Sequence, residues 1–109
     1  ITEAQMKIIL NQYSKTLLNA AREIEDAMFA ENILKEREES LRSAFKESKA
    51  AEELTIDQYN KGVSTIFELL DAQSRRLSAE SLLINSSLLR ITNRIKLHLA
   101  ISSPLFEEI

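Results

Sequence analysis

Tyr59-Asn60-Lys61-Gly62-Val63-Ser64-Thr65-Ile66-Phe67-Glu68 is the one stretch of this chain suited to reversing its direction. Of 109 residues only Gly62 is a glycine and only Pro104 a proline. Ordinary usage is about 7% glycine and 5% proline, so turn formers are nearly missing and few, long elements follow. Gly62 can take the left-handed conformation that ends a helix, and Lys61 beside it suits the negative end of a helix dipole. Three residues on, Thr65-Ile66-Phe67-Glu68 has the form of a capping box, with threonine as N-cap and glutamate at N3. One helix stops and another starts within about four residues, a connection that makes them antiparallel neighbours.

Outward from this turn the pattern is helical on both sides. Upstream, from Thr2 to about Tyr59, apolar residues recur at Leu10, Tyr13, Leu17, Ala20, Ile24, Ala27 or Met28, Leu34, Leu41 and Phe45. Steps of three, four and seven mark one helix face. The other face is expected to carry Glu3–Lys7, Glu31–Lys35 and Glu38–Arg42, acid-before-base pairs worth roughly 0.2–0.5 kcal/mol each. Such a helix would be on the order of 85 Å long, a rod rather than part of a small globule. Downstream the stripe is Ile66, Leu70, Leu77, Ile84, Leu88, Ile91, Ile95 and Leu99, widened by Leu82-Leu83 and Leu88-Leu89. Serines and Pro104 are expected to end this helix near Ile101.

The expected fold class is therefore all-α. It is one long, coiled-coil-like antiparallel hairpin over residues 1–109, with helices at about 2–59 and 65–101 and a turn at about 60–64. Folding back at Gly62 sets Phe45 near Ala79 and Ile24 near Ala100, leaving the first twenty or so residues overhanging. Two helices cannot cover both flanks of so wide a stripe, and self-association is expected.

Composition narrows the function. The formal net charge is −3 with acids and bases interspersed, so no basic face invites nucleic acid. With no cysteine there is no disulfide or thiolate metal site. No apolar run approaches about 18 residues, the least that spans a bilayer as a helix. No signal peptide is visible, and Ile1 already lies in a helical pattern, so a piece of a longer protein is expected. His98 is the only histidine and reads as a boundary residue. The acids Glu23/Glu25/Asp26, Glu36/Glu38/Glu39 and Glu52/Glu53 lack the Glu-x-x-His partners of a di-iron bundle. No phosphate loop or nucleophile elbow occurs, and no cofactor, metal or enzymatic activity is expected.

Specific motifs point further. Tyr59-x-x-Gly62 is followed by Leu69-Leu70-Asp71-Ala72-Gln73, then Leu77 and Ala79-Glu80; upstream stands Ala20-Ala21-Arg22-Glu23-Ile24-Glu25-Asp26-Ala27-Met28. Together these resemble the C-terminal periplasmic helical hairpin of TolC-like outer-membrane efflux proteins, over about Tyr13 to Ile101. Near the end Leu97-His98-Leu99-Ala100-Ile101-Ser102-Ser103 departs from the family's usual Leu-Tyr-x-Ala-Leu-Gly-Gly.

The resemblance implies an outer-membrane location with this segment in the periplasm, as part of the α-barrel of a homotrimeric channel. A periplasmic adaptor would meet the hairpin tip at Gly62, Val63, Ser64 and Thr65, and an inner-membrane transporter would drive export. The first helical repeat and the barrel strands are not in this sequence. The resemblance also sets Tyr59, Glu68 and Asp71 at the narrow periplasmic mouth, where carboxylates would attract cations. Glu68 has the capping box as an equal alternative, and turn chemistry alone could account for Gly62. The remaining alternative for the whole chain is a scaffold hairpin that self-associates into a helical bundle.

Overall fold

The computed structural model describes residues 1–106 and is an all-α helical hairpin. Helix α1 covers Glu3–Asn60 and helix α2 covers Ile66–Phe106. A capping box starts α1: Gln5 N–H donates to Thr2 Oγ1 at 3.2 Å and Thr2 N–H to Gln5 Oε1 at 3.1 Å.

The end of α1 is a Schellman motif. Val63 N–H reaches back to the Gln58 carbonyl at 2.8 Å and Gly62 N–H to the Tyr59 carbonyl at 3.0 Å. Gly62 has φ +76°, the only positive φ among the described residues. A second capping box opens α2, with Glu68 N–H donating to Thr65 Oγ1 and Thr65 N–H to Glu68 Oε2, both at 3.2 Å. Because a Cβ on Gly62 would meet nothing within 4 Å, strain in the left-handed conformation is the whole penalty there. Gly62→Ala should cost about 1–2 kcal/mol, read as a lower urea midpoint by circular dichroism, and Gly62→Asn less.

The chain divides into two compact units, Ile1–Asn32 with Ile91–Ile109, and Ile33–Arg90. The second contains the turn. Its seam is built on steps of seven: Glu38, Phe45 and Glu52 on α1, and Leu69, Arg76, Leu83 and Arg90 on α2, all buried or half-buried. Arg76 Nε donates to Glu52 Oε2, and Arg76 Nη1 lies 2.9 Å from Glu80. The hydrogen bond to Glu52 raises the Arg76 pKa above its ordinary value, against an opposing effect of desolvation. Glu38 takes Arg42 on its own helix at 2.8 Å and Arg90 across the seam at 3.5 Å. In the other unit Arg94 Nε meets Glu31 at 3.1 Å and Asn93 Nδ2 donates to the Ala27 carbonyl at 2.9 Å. These partners fall within about one helical turn of the register expected from folding back at Gly62.

Among the described residues no hydrophobic side chain is buried; the two that are buried are Glu38, 7% exposed, and Ser86, 2% exposed. Ser86 Oγ has no hydrogen-bond partner.

Three expectations are corrected here. The α1 stripe from Ala20 to Phe45 does face inward and is half-buried. The α2 stripe Ile66, Leu70, Leu77, Ile84, Leu88, Ile91, Ile95 and Leu99 instead lies outside, 44–64% exposed. The face beside it carries the arginines that answer the α1 carboxylates, and that face turns inward. By the same token Glu31, Glu38 and Glu52 belong to the seam rather than to a solvated face. Finally, α2 continues to Phe106 instead of stopping near Ile101. A proline removes one ladder hydrogen bond, here the one the Ala100 carbonyl would accept, and in a last turn that does not end the helix. Residues 1–19 are exposed throughout.

Candidate functional site

The expected tip residues sit on a rigid connection rather than a loose loop. Each backbone N–H from Lys61 to Ser64 has a carbonyl partner: Asp57 for Lys61, Tyr59 for Gly62, and Gln58 for both Val63 and Ser64. Lys61 Nζ adds an exposed ion pair to Asp57 at 2.9 Å. The four tip residues then differ in what they offer. Val63 projects outward at 73% exposure. Ser64 is half-buried and its Oγ donates to Gln58 Oε1 at 3.0 Å. Thr65 is engaged as an N-cap, and Gly62 supplies conformation only.

Phe67, which the sequence pattern did not single out, is 79% exposed, more than Val63. It lies four residues after Val63, so two bare apolar side chains flank the turn. Its signal was available: in the stripe of α2, Ile66 and Leu70 are members and Phe67 is not, so an aromatic residue falls on the outer flank of the first turn.

Glu68 and Asp71 come together. Both line a groove of about 370 Å³ within the Ile33–Arg90 unit, with Glu47, Thr55 and Arg75 among its other walls. Glu68 is held by the capping box, which uses one of its oxygens. Asp71 has a local duty that the sequence reading did not give it. Arg75 Nε lies 3.0 Å from Asp71 Oδ2, an i,i+4 pair with both side chains well exposed. Such a pair contributes little to stability but cancels one negative charge at the groove. Tyr59 does not line this groove; it is exposed at the end of α1, where its carbonyl accepts the Gly62 amide.

The charged seam residues Glu38, Glu52, Arg76 and Arg90 are the other feature missed. Acids and arginines recurring at multiples of seven on facing helices were the sign. His98 is exposed, and its carbonyl accepts the Ser102 hydroxyl at 2.8 Å. Among the described residues no group of three or more His, Asp or Glu side chains is placed to hold a metal. No described helix is long and apolar enough to cross a membrane.

Comparison with known proteins completes the description. The profile of the family described as outer membrane efflux protein matches residues 1–103. Three relatives from Pseudomonas putida are each 25% identical over 107 residues. They are a probable efflux pump outer membrane protein TtgC, an antibiotic efflux pump outer membrane protein ArpC, and a toluene efflux pump outer membrane protein TtgC from a different strain than the first. The alignments cover 98% of this chain but 22% of each relative, so the chain spans about a fifth of the length of the relatives it matches. No solved structure matches it.

Proposed function

Because this chain belongs to the outer membrane efflux protein family, we propose that it forms part of the periplasmic wall of an efflux channel and carries no catalysis of its own. The observation behind this reading is the outward apolar stripe of α2, left open by a hairpin whose helices pair through a different face. A wall segment needs such a face, because it must bury its flanks against neighbouring helices while remaining helical throughout. A scaffold hairpin would expose a similar stripe, but family membership favours the channel.

In this reading the parent is a homotrimer in the outer membrane, with this segment in the periplasm. The tip docks a periplasmic adaptor, and through it an inner-membrane transporter supplies the energy. Conduction is passive. Val63 and Phe67 make the first contacts with the adaptor, since Gly62, Ser64 and Thr65 are committed to building the turn. Glu68 and Asp71 border the channel mouth together with Tyr59.

Cross-linking in cells tests the docking. Val63→Cys in the full-length parent is the better probe than Ser64→Cys, because Ser64 is half-buried and bonded to Gln58. This segment has no cysteine of its own. A specific disulfide to a cysteine at an adaptor's hairpin tip is the expected result. Failure with every co-expressed adaptor, in cells where the channel reaches the outer membrane, would remove the tip from the junction.

A further inference from the structure

We infer that the charges of the hairpin seam act as an orientation lock, deciding which face of α2 turns toward α1. The Ile33–Arg90 unit offers α2 two competing seams, both with steps of seven. One is Leu69, Arg76, Leu83 and Arg90, which is the inward face. The other, a single residue on, is Leu70, Leu77 and Ile84, which is wholly apolar and lies outside. One residue is about 100° of helix rotation, so turning α2 by a little over a quarter turn would exchange them. Burial of apolar surface alone selects the second. The observed hairpin uses the first.

The reason lies on α1. Its own seam presents Glu38, Phe45 and Glu52, so two of three positions are carboxylates turned toward α2. Against the apolar face of α2 these carboxylates would find no cation on that helix. Glu38 would keep only Arg42 of its own helix, Glu52 would lose Arg76, and a buried unpaired charge is strongly unfavourable. Against the arginine face each finds one. Arg76 serves Glu52 and Arg90 serves Glu38, while Phe45 and Leu83 stand midway between the two pairs on their helices. The alternation acid–aromatic–acid on α1 matches arginine–leucine–arginine on α2 in one rotation and one register only. Polar seam positions that specify pairing at a cost in stability are known from coiled coils. Here the choice keeps the all-apolar face of α2 on the outside. The lock belongs to the hairpin and does not rest on what a channel would carry.

Cysteine cross-linking in the full-length parent tests it. One pair, Phe45→Cys with Leu83→Cys, reports the locked face; the other, Phe45→Cys with Ile84→Cys, reports the rotated one. With the natural charges a short thiol-reactive cross-linker should join the first pair in several-fold excess. Arg76→Glu with Arg90→Glu should reverse or abolish that preference. Adding Glu38→Arg and Glu52→Arg restores opposite charges with the signs exchanged, and should restore the first pair. If the doubly reversed protein does not accumulate, Arg76→Gln with Arg90→Gln removes the pairs without repulsion and should equalise the two cross-links. An unchanged preference in the charge-altered variants, or no recovery on exchanging the signs, would overturn the lock.

Discussion

Glu38→Leu combined with Arg90→Leu is expected to make the hairpin more stable than the natural chain, whereas Glu38→Ala alone should weaken it by about 2 kcal/mol. The second figure follows from hydrogen bonds to charged groups, each contributing about 1.5–3 kcal/mol net. Glu38 accepts from Arg42 at 2.8 Å and pairs with Arg90 at 3.5 Å, and its removal leaves the half-buried Arg90 without that carboxylate. Arg42 is largely exposed and returns to water at little cost. The double leucine variant differs because no charge is stranded. Replacing a buried ion pair by apolar side chains of similar size is commonly neutral or stabilising by about 1–4 kcal/mol. Since no hydrophobic side chain is buried among the described residues, two facing leucines would add burial that the seam lacks. Urea unfolding followed by circular dichroism, at one fixed protein concentration, measures both effects. A double variant less stable than Glu38→Ala would show that the pair stabilises the hairpin outright instead of orienting it. Because Glu52 and Arg76 remain paired in it, a double variant that is stable but prefers the Phe45–Leu83 cross-link less strongly than the natural chain is what the lock requires.

How far the fold was legible differs between the two helices, for a physical reason. The glycine and the capping box of the turn were readable because their rules are local. A lone glycine must take the positive φ of a Schellman motif, and Thr65 and Glu68 can satisfy each other's backbone amides without reference to anything distant. The α1 face was readable from Ala20 to Phe45 because apolar periodicity and the half-buried face coincide there. In α2 they do not coincide. The strongest apolar stripe faces away from α1, and periodicity cannot tell a face that meets the partner helix within a chain from one reserved for another chain. The missing information was nonlocal. Glu52 predicts an arginine face only once Arg76 is known to lie opposite. Arg75 near Asp71 is by contrast a local i,i+4 pair, legible in the sequence from its spacing. The bond that half-buries Ser64 against Gln58 is made across the turn, and Phe67 lies outside the periodic apolar stripe of α2.

Asp71→Asn and Glu68→Gln in the full-length parent are expected to lower the cation preference of its conductance severalfold, if these carboxylates border the channel mouth as proposed. The two substitutions act through different neighbours. Asp71 shares its charge with Arg75 at 3.0 Å, so Asp71→Asn both deletes a carboxylate and leaves the exposed guanidinium without that counter-charge. Repeated in each subunit of a homotrimer, the mouth would become net less negative by three charges and would carry three unmasked arginines, which favours anions. Glu68→Gln isolates charge from structure, because glutamine also serves at the N3 position of a capping box and the bond to Thr65 N–H survives. Glu68→Ala removes charge and cap together, with about 1 kcal/mol of helix stability lost as for an N-cap deletion. Reversal potentials in a salt gradient across planar bilayers give the permeability ratio directly. If Glu68→Gln and Glu68→Ala shift it equally, charge at the mouth is the operating feature. If only Glu68→Ala shifts it, Glu68 acts through the turn. If Asp71→Asn leaves the ratio unchanged while the channel still conducts, the groove shared by Glu68 and Asp71 lies off the conduction path.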